Sequence, residues 1–158
     1  MKKNREIYLI LNDIRSASNV GSIFRTADAA GANKIFLCGY TPAPLDRFGR
    51  PVKQLIKTSL GAEKNISWEK GRAFEVVNSL KEKGFFIVAI EQSDKSVDYK
   101  TVRPSLKTAF VFGNEVDGLP RSLLSLADIV AEIPMKGRKE SLNVSVAAGI
   151  SIFRILSI

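Results

Sequence analysis

Five short apolar runs recur along the chain, at 7–11, 34–38, 85–90, 108–112 and 129–133. Each has the length of a strand and little polar interruption, the pattern of strands covered on both faces. Between them the apolar positions change to helical spacing. Val20, Ile23, Phe24, Ala27 and Ala30 share one face of a helix that Ser18 or Asn19 can cap and Gly31 can end. Ala73, Val76, Val77 and Leu80 mark a second helix over 72–83, stopped at Gly84. Pro120 fits the first turn of a short helix reaching Leu126. The stretch 39–53, with Pro42, Pro44, Gly49 and Pro51, reads as loop, and 58–65 is ambiguous between states. Strands alternating with helices predict an α/β fold with a parallel sheet. A charged start over 1–6 precedes the first run. The chain shows no dividing linker and no internal repeat, so 1–158 reads as one domain, long enough for a hydrophobic core.

The last helix stands apart. It is entered at Ser141-Leu142-Asn143, and from there to Leu156 only Ser145, Ser151 and Arg154 have polar side chains. A helix apolar on nearly every side must be covered, by a core or by another subunit. Its first residues favour caps and leave backbone N–H groups free, which tolerates an anion.

Composition narrows the chemistry. Lys and Arg number 24 against 16 Asp and Glu, a net charge of +8, which fits a polyanion partner or a plainly basic surface. The chain has no histidine and one cysteine, Cys38, inside an apolar run. That excludes an internal disulfide, a His/Cys zinc site and a Ser-His-Asp or Cys-His mechanism within one chain. Cys38 reads as a core residue, and reducing cytoplasm is the default compartment. No secretory leader or membrane-spanning stretch is visible, and no metal is called for.

In open α/β sheets ligands gather at the carboxyl ends of strands. No Gly-x-Gly-x-x-Gly follows a strand here and no Gly-Lys-Ser/Thr loop occurs, so dinucleotide and P-loop chemistry are poorly supported. Three other stretches fall at such ends. In the first, 12–25, Asn19 is either a cap or a ligand residue, and Arg25, off the apolar helix face, is either a solvated surface residue or part of the same site. In the second, 110–120, Gly113 and Gly118 bracket Glu115, as a plain turn or as backbone approaching a ligand. In the third, 133–147, Lys136, Arg138 and Lys139 are a solvated run or a phosphate contact beside a helix start.

Together and in this order, NDIRSASNVGSIFRTADAAG (12–31), VFGNEVDGLP (111–120) and IPMKGRKESLNVSVA (133–147) resemble the three motifs of the SpoU, or TrmH-like, branch of the SPOUT RNA methyltransferases. The resemblance covers nearly the whole chain. It implies a parallel-sheet α/β fold with a deep C-terminal trefoil knot, a feature otherwise nearly absent from proteins. It also implies a homodimer, S-adenosylmethionine as cofactor and 2′-O-methylation of a ribose in tRNA or rRNA. Carried over by position, Asn19, Arg25, Glu115, Ser141 and Asn143 are the implied catalytic set. Ile90, Glu91, Gly113, Ile133, Ser141 and Leu142 are the implied cofactor contacts. Arg15, Arg47, Arg50, Lys136, Arg138 and Lys139 are the expected RNA phosphate contacts. Some relatives carry an extra N-terminal RNA-binding domain that these residues do not include, and substrate capture is expected to fall to this domain.

Methyl transfer from a sulfonium needs an oxygen in line and help in removing its proton. Arginine holds its own proton, so Arg25 is expected to act electrostatically, orienting phosphate and stabilising the developing alkoxide, with Asn19 and Asn143 holding it and Glu115 fixing the second-motif loop. The competing reading is a non-catalytic RNA-binding or ribosome-assembly protein on the same scaffold. Methylation of a base nitrogen is a third.

Overall fold

The computed structural model describes residues 4–158; the first half of the charged start lies outside them. Seven parallel strands form one sheet in the order β3-β2-β1-β6-β4-β7-β5. In chain order the elements are β1 (Glu6–Asn12), α1 (Ala17–Ala29), β2 (Lys34–Cys38), α2 (Lys53–Ser59), α3 (Ala62–Asn65), β3 (Ser67–Gly71) and α4 (Ala73–Glu82). They continue with β4 (Phe86–Ile90), β5 (Val97–Asp98), a 3₁₀ turn (Tyr99–Thr101), β6 (Lys107–Phe112), α5 (Arg121–Leu124), β7 (Ile129–Glu132) and α6 (Val144–Leu156).

Both sheet faces are covered, which is why the strand runs are continuously apolar. Leu9, Leu11, Phe110 and Phe112 point into one core with α1, α2 and α6. Ile10, Ala109 and Val111 point into the other with α4 and α5. Alternate side chains therefore meet different helices, and every position must be apolar.

The five predicted strands are present. The two additional ones carry almost no apolar pattern. β3 is Ser-Trp-Glu-Lys-Gly on a sheet edge, where only Trp68 joins a core and Glu69 meets Lys34 at 2.6 Å. β5 is two residues at the other edge. The ambiguous stretch 58–65 resolves into the end of α2 and the whole of α3, separated by Leu60 and Gly61 at positive φ, and α2 begins at Lys53, the last residue of the expected loop.

The cap of α1 corrects the sequence reading. Ser16, not Ser18 or Asn19, is the cap: its Oγ accepts from the Asn19 N–H at 3.1 Å, and its backbone is extended. The helix starts earlier than predicted, and the Asn19 side chain is released for other work.

Candidate active site

The carboxyl ends of β4, β6 and β7 converge with the start of α6 around an open cavity of about 300 Å³. The β4 end contributes Ile90, Glu91 and Gln92. The β6 end contributes Phe112 to Val116 and Gly118. Glu132, Ile133 and Met135 come from the end of β7 and just beyond it, and Glu140 to Leu142, Val144 and Ala147 complete the wall. Ile90, Glu91, Gly113, Ile133, Ser141 and Leu142, the contacts implied by the motif resemblance, all line this one space. Its charge runs opposite to the molecule's. Glu91, Glu115, Glu132 and Glu140 line it with no lysine or arginine among the lining residues, in a chain of net charge +8. Such a wall favours a cationic ligand.

Two glycines let the β6 loop fold over the cavity. A Cβ on Gly113 would sit 2.7 Å from the Gly118 carbonyl carbon and 2.8 Å from Leu119. Gly118 has φ +67, and a Cβ there would strike the Glu91 carboxylate. That carboxylate clamps the loop, accepting from the Leu119 N–H at 2.9 Å through Oε2 and from the Gln92 N–H at 2.9 Å through Oε1. The Gln92 amide in turn donates to the Glu140 carbonyl at 2.7 Å, tying the β4 end to the loop before α6.

Asn114 organises the turn itself. Its Oδ1 accepts from the N–H groups of Val116 (2.7 Å) and Asp117 (2.9 Å), and its Nδ2 donates to the Asp13 carbonyl (2.9 Å) and to the Tyr40 hydroxyl. Asp13 completes the link, since its Oδ1 accepts from the Tyr40 N–H at 3.1 Å. The loop expected to be fixed by Glu115 is thus held by Asn114 and Glu91. Sequence reasoning missed Asn114, Tyr40 and the four-acid lining because each sits in an ordinary turn or strand end and only the fold brings them together.

Glu115 instead reaches the first helix. Its Oε1 accepts from Asn19 Nδ2 at 3.3 Å and its Oε2 from the Arg15 N–H at 3.4 Å. Asn19 Oδ1 accepts from Asn143 Nδ2 at 3.1 Å, while Asn143 Oδ1 caps α6 by accepting from the Ser145 N–H at 2.9 Å. Residues far apart in sequence thus form one chain, Glu115–Asn19–Asn143, beside the cavity. Beyond it the Arg15 guanidinium has its pKa raised by the Tyr40 hydroxyl first, then by Asp117 and Glu115.

Arg25 is not part of this chain. It is exposed on the outward face of α1, forms no hydrogen bond or ion pair among the described residues, and is absent from the cavity wall. The expectation that Asn19 and Asn143 hold it within one subunit is not met, because the sheet lies on one side of α1 and Arg25 projects from the other. Arg47, Arg50, Lys136, Arg138 and Lys139 are all solvent-accessible. Cys38 is buried at the end of β2, and burial, then Asp13 and Glu69, pushes its thiol pKa up to about 12. It is unsuited to nucleophilic work. No helix among the described residues is long and apolar enough to cross a membrane.

Comparison with known proteins converges on one family. The description of the SpoU rRNA methylase family matches residues 6–153. The Bacillus subtilis protein YacO, assigned to the TrmH family of tRNA/rRNA methyltransferases, is 30% identical over 98% of this chain and 59% of its own length. Among solved structures, an AdoMet-bound rRNA methyltransferase from Sinorhizobium meliloti superposes with a TM-score of 0.87 at 33% identity, over 96% of this chain and 56% of that one. A TrmH/SpoU tRNA modifying enzyme from A. aeolicus gives 0.84 at 27% identity, over 98% and 76%. The chain spans under two thirds of the length of YacO and of the S. meliloti enzyme. With the parallel sheet and the three loops at its carboxyl edge, these likenesses agree: the chain belongs to the SpoU rRNA methylase family.

Proposed function

We propose that this protein is an S-adenosylmethionine-dependent RNA methyltransferase that modifies a ribose 2′-oxygen in tRNA or rRNA, in the cytoplasm. The observation that carries the reading is the cation-free, four-glutamate cavity in a basic protein. The cofactor's sulfonium and α-ammonium are both positive, and acids repay their desolvation. The lining fits the rest of the molecule too. Ile90, Ile133 and Leu142 offer apolar surface to an adenosine, and Gly113 and Gly118 contribute to the same wall without side chains of their own. When bound, S-adenosylmethionine supplies an electrophilic methyl that passes to the ribose oxygen as that oxygen loses its proton. The AdoMet-bound S. meliloti neighbour supports this choice of cofactor.

The chain's own residues bind and orient. Glu91 holds the β6 loop shut against the cavity, and Glu115, Asn19 and Asn143 fix its rim, where Ser141 and Asn143 face the incoming ribose. Arg25 works across a homodimer. The outward faces of α1 and α6 form one surface, with Arg25 on α1 and an apolar stripe on α6: Val146 is 47% exposed, Ile150 37% and Phe153 36%. Pairing two copies through this surface covers the stripe and turns Arg25 of one subunit toward the cavity of the other, where its fork stabilises charge on the ribose oxygen. The knot belongs to the same proposal, with the segment that carries α6 passing through the loop between β4 and β6. Arg15, Lys136, Arg138 and Lys139 meet phosphates at the cavity mouth.

Calorimetric titration with S-adenosylmethionine and mass spectrometry of nucleosides from treated RNA test the reading together. Wild-type protein binds the cofactor and forms a 2′-O-methylnucleoside. Arg25→Ala keeps cofactor affinity and loses turnover by about 10²–10³, the cost of removing one donor to a developing oxyanion, and Arg25→Lys does not restore it. RNA binding without cofactor binding would instead favour the non-catalytic scaffold, and a methylated base would move the target off the ribose.

A further inference from the structure

The loop between β2 and α2 ends in a built tip that the cavity does not use. Phe48 stands on it, 66% exposed. A single exposed phenylalanine is ordinary, but its setting is not. Asp46 Oδ1 accepts from the N–H groups of Phe48 at 2.8 Å and Arg50 at 3.0 Å, and its Oδ2 meets Arg50 Nε at 2.8 Å. The Asp46 N–H donates to the Arg50 carbonyl at 2.8 Å, and a Leu45–Pro51 bridge closes the base of the tip. Gly49, at φ +74, makes the reversal. On this rigid turn the guanidinium carbons of Arg47 and Arg50 lie 4.7 and 4.9 Å from the centre of the Phe48 ring.

The chemistry of this cluster narrows its partner. Its one carboxylate is used up inside the turn, partly on Arg50 Nε, so what it offers outward is an exposed aromatic ring beside two planar cations. An apolar protein pocket would have to desolvate both guanidiniums. A strand of RNA answers each part at once, with bases for the ring and the guanidinium planes and phosphates for the forks. Position agrees. The loop leaves the carboxyl end of β2, the sheet edge that holds the cavity, and β2 is two strands from β6, about 10 Å away at ordinary strand spacing. Tyr40, at the start of the loop, is bonded to Asn114 in the cavity wall.

We infer that Phe48, flanked by Arg47 and Arg50, is a base-stacking finger that grips an unpaired nucleotide flanking the one to be methylated. The inference rests on the RNA methyltransferase reading and adds to it a recognition residue outside the three motifs.

Fluorescence anisotropy on the full chain tests it with two labelled probes of equal length, an oligoadenylate and an abasic ribose-phosphate strand. Phe48→Ala lowers affinity for oligoadenylate by about tenfold, the usual effect of losing one stacked base, and leaves the abasic strand and the cofactor titration unchanged. Phe48→Leu, apolar without a π face, matches the alanine variant. Phe48→Trp retains binding, and its added indole emission is quenched by oligoadenylate over the Trp68 background of the wild type. Unchanged oligoadenylate affinity in Phe48→Ala, or equal loss on both strands, overturns the finger. So does a wild type that binds S-adenosylmethionine but neither strand, which leaves the cofactor reading standing. Phe48-dependent binding of oligoadenylate without any cofactor binding supports the finger and removes the methyltransferase reading instead.

Discussion

Asn114 carries more of the site's geometry than any residue named by its chemistry. It is buried and satisfies two backbone N–H groups, one carbonyl and one hydroxyl from three separate segments. Alanine there leaves those partners unpaired; groups that stay buried cost about 1–3 kcal/mol each, whereas those on exposed Tyr40 and Val116 can turn to water. Asn114→Ala is expected to lower unfolding free energy by roughly 2–4 kcal/mol and to weaken S-adenosylmethionine binding, read by urea denaturation and calorimetry on one preparation. An unchanged denaturation midpoint would mean that water replaces the amide. Much of the site was legible at this scale. The six positions that the family resemblance implied for the cofactor line one cavity, and the strand ends and glycine turns that frame it leave marks in sequence. The role of Asn114 was not legible, since an asparagine beside a glycine in a turn is commonplace. Nor was the freedom of Asn19, which depends on Ser16 taking the cap.

Among the elements, the β6 loop and α6 are the two whose sequences are shaped by neighbours. Gly113 is hemmed in by Gly118 and Leu119, whereas a methyl group added to Gly137, in the basic loop before α6, would meet nothing within 4 Å. Gly113→Ala is therefore expected to push the loop into the cavity and cut cofactor affinity by more than about tenfold, with a loss of about 1–3 kcal/mol from overpacking. Gly137→Ala stays within about 0.5 kcal/mol of wild type. Thermal melts and cofactor titration of the pair check both; similar behaviour would remove the steric argument. The edge strands teach the opposite lesson. β3 owes its conformation to pairing with β2 along Lys34 to Cys38, and nothing in Ser-Trp-Glu-Lys-Gly announces a strand. An edge strand buries little, so selection for apolar residues is weak there.

For the molecule as a whole, charge and apolar surface are segregated. The net charge of +8 coexists with an acidic cavity, and the apolar residues of α6 left in the open gather on one outward stripe. On the proposed homodimer, Val146→Glu combined with Ile150→Glu is expected to yield a folded monomer by sedimentation equilibrium that still binds S-adenosylmethionine and has lost turnover, because Arg25 would no longer reach a partner's cavity. A dimer that survives the double change would place the interface elsewhere.

By itself the sequence determined the parallel α/β class and the polar, glycine-bearing strand ends, since burial on both faces and close backbone approach each demand particular residues at particular spacings; the family came from the resemblance of three motifs. Tertiary structure decided the rest. It closed the Glu115–Asn19–Asn143 chain between opposite ends of the sequence, concentrated four acids in a basic protein, and turned Arg25 outward. Those are consequences of where the helices settle on the sheet, and no local preference encodes them.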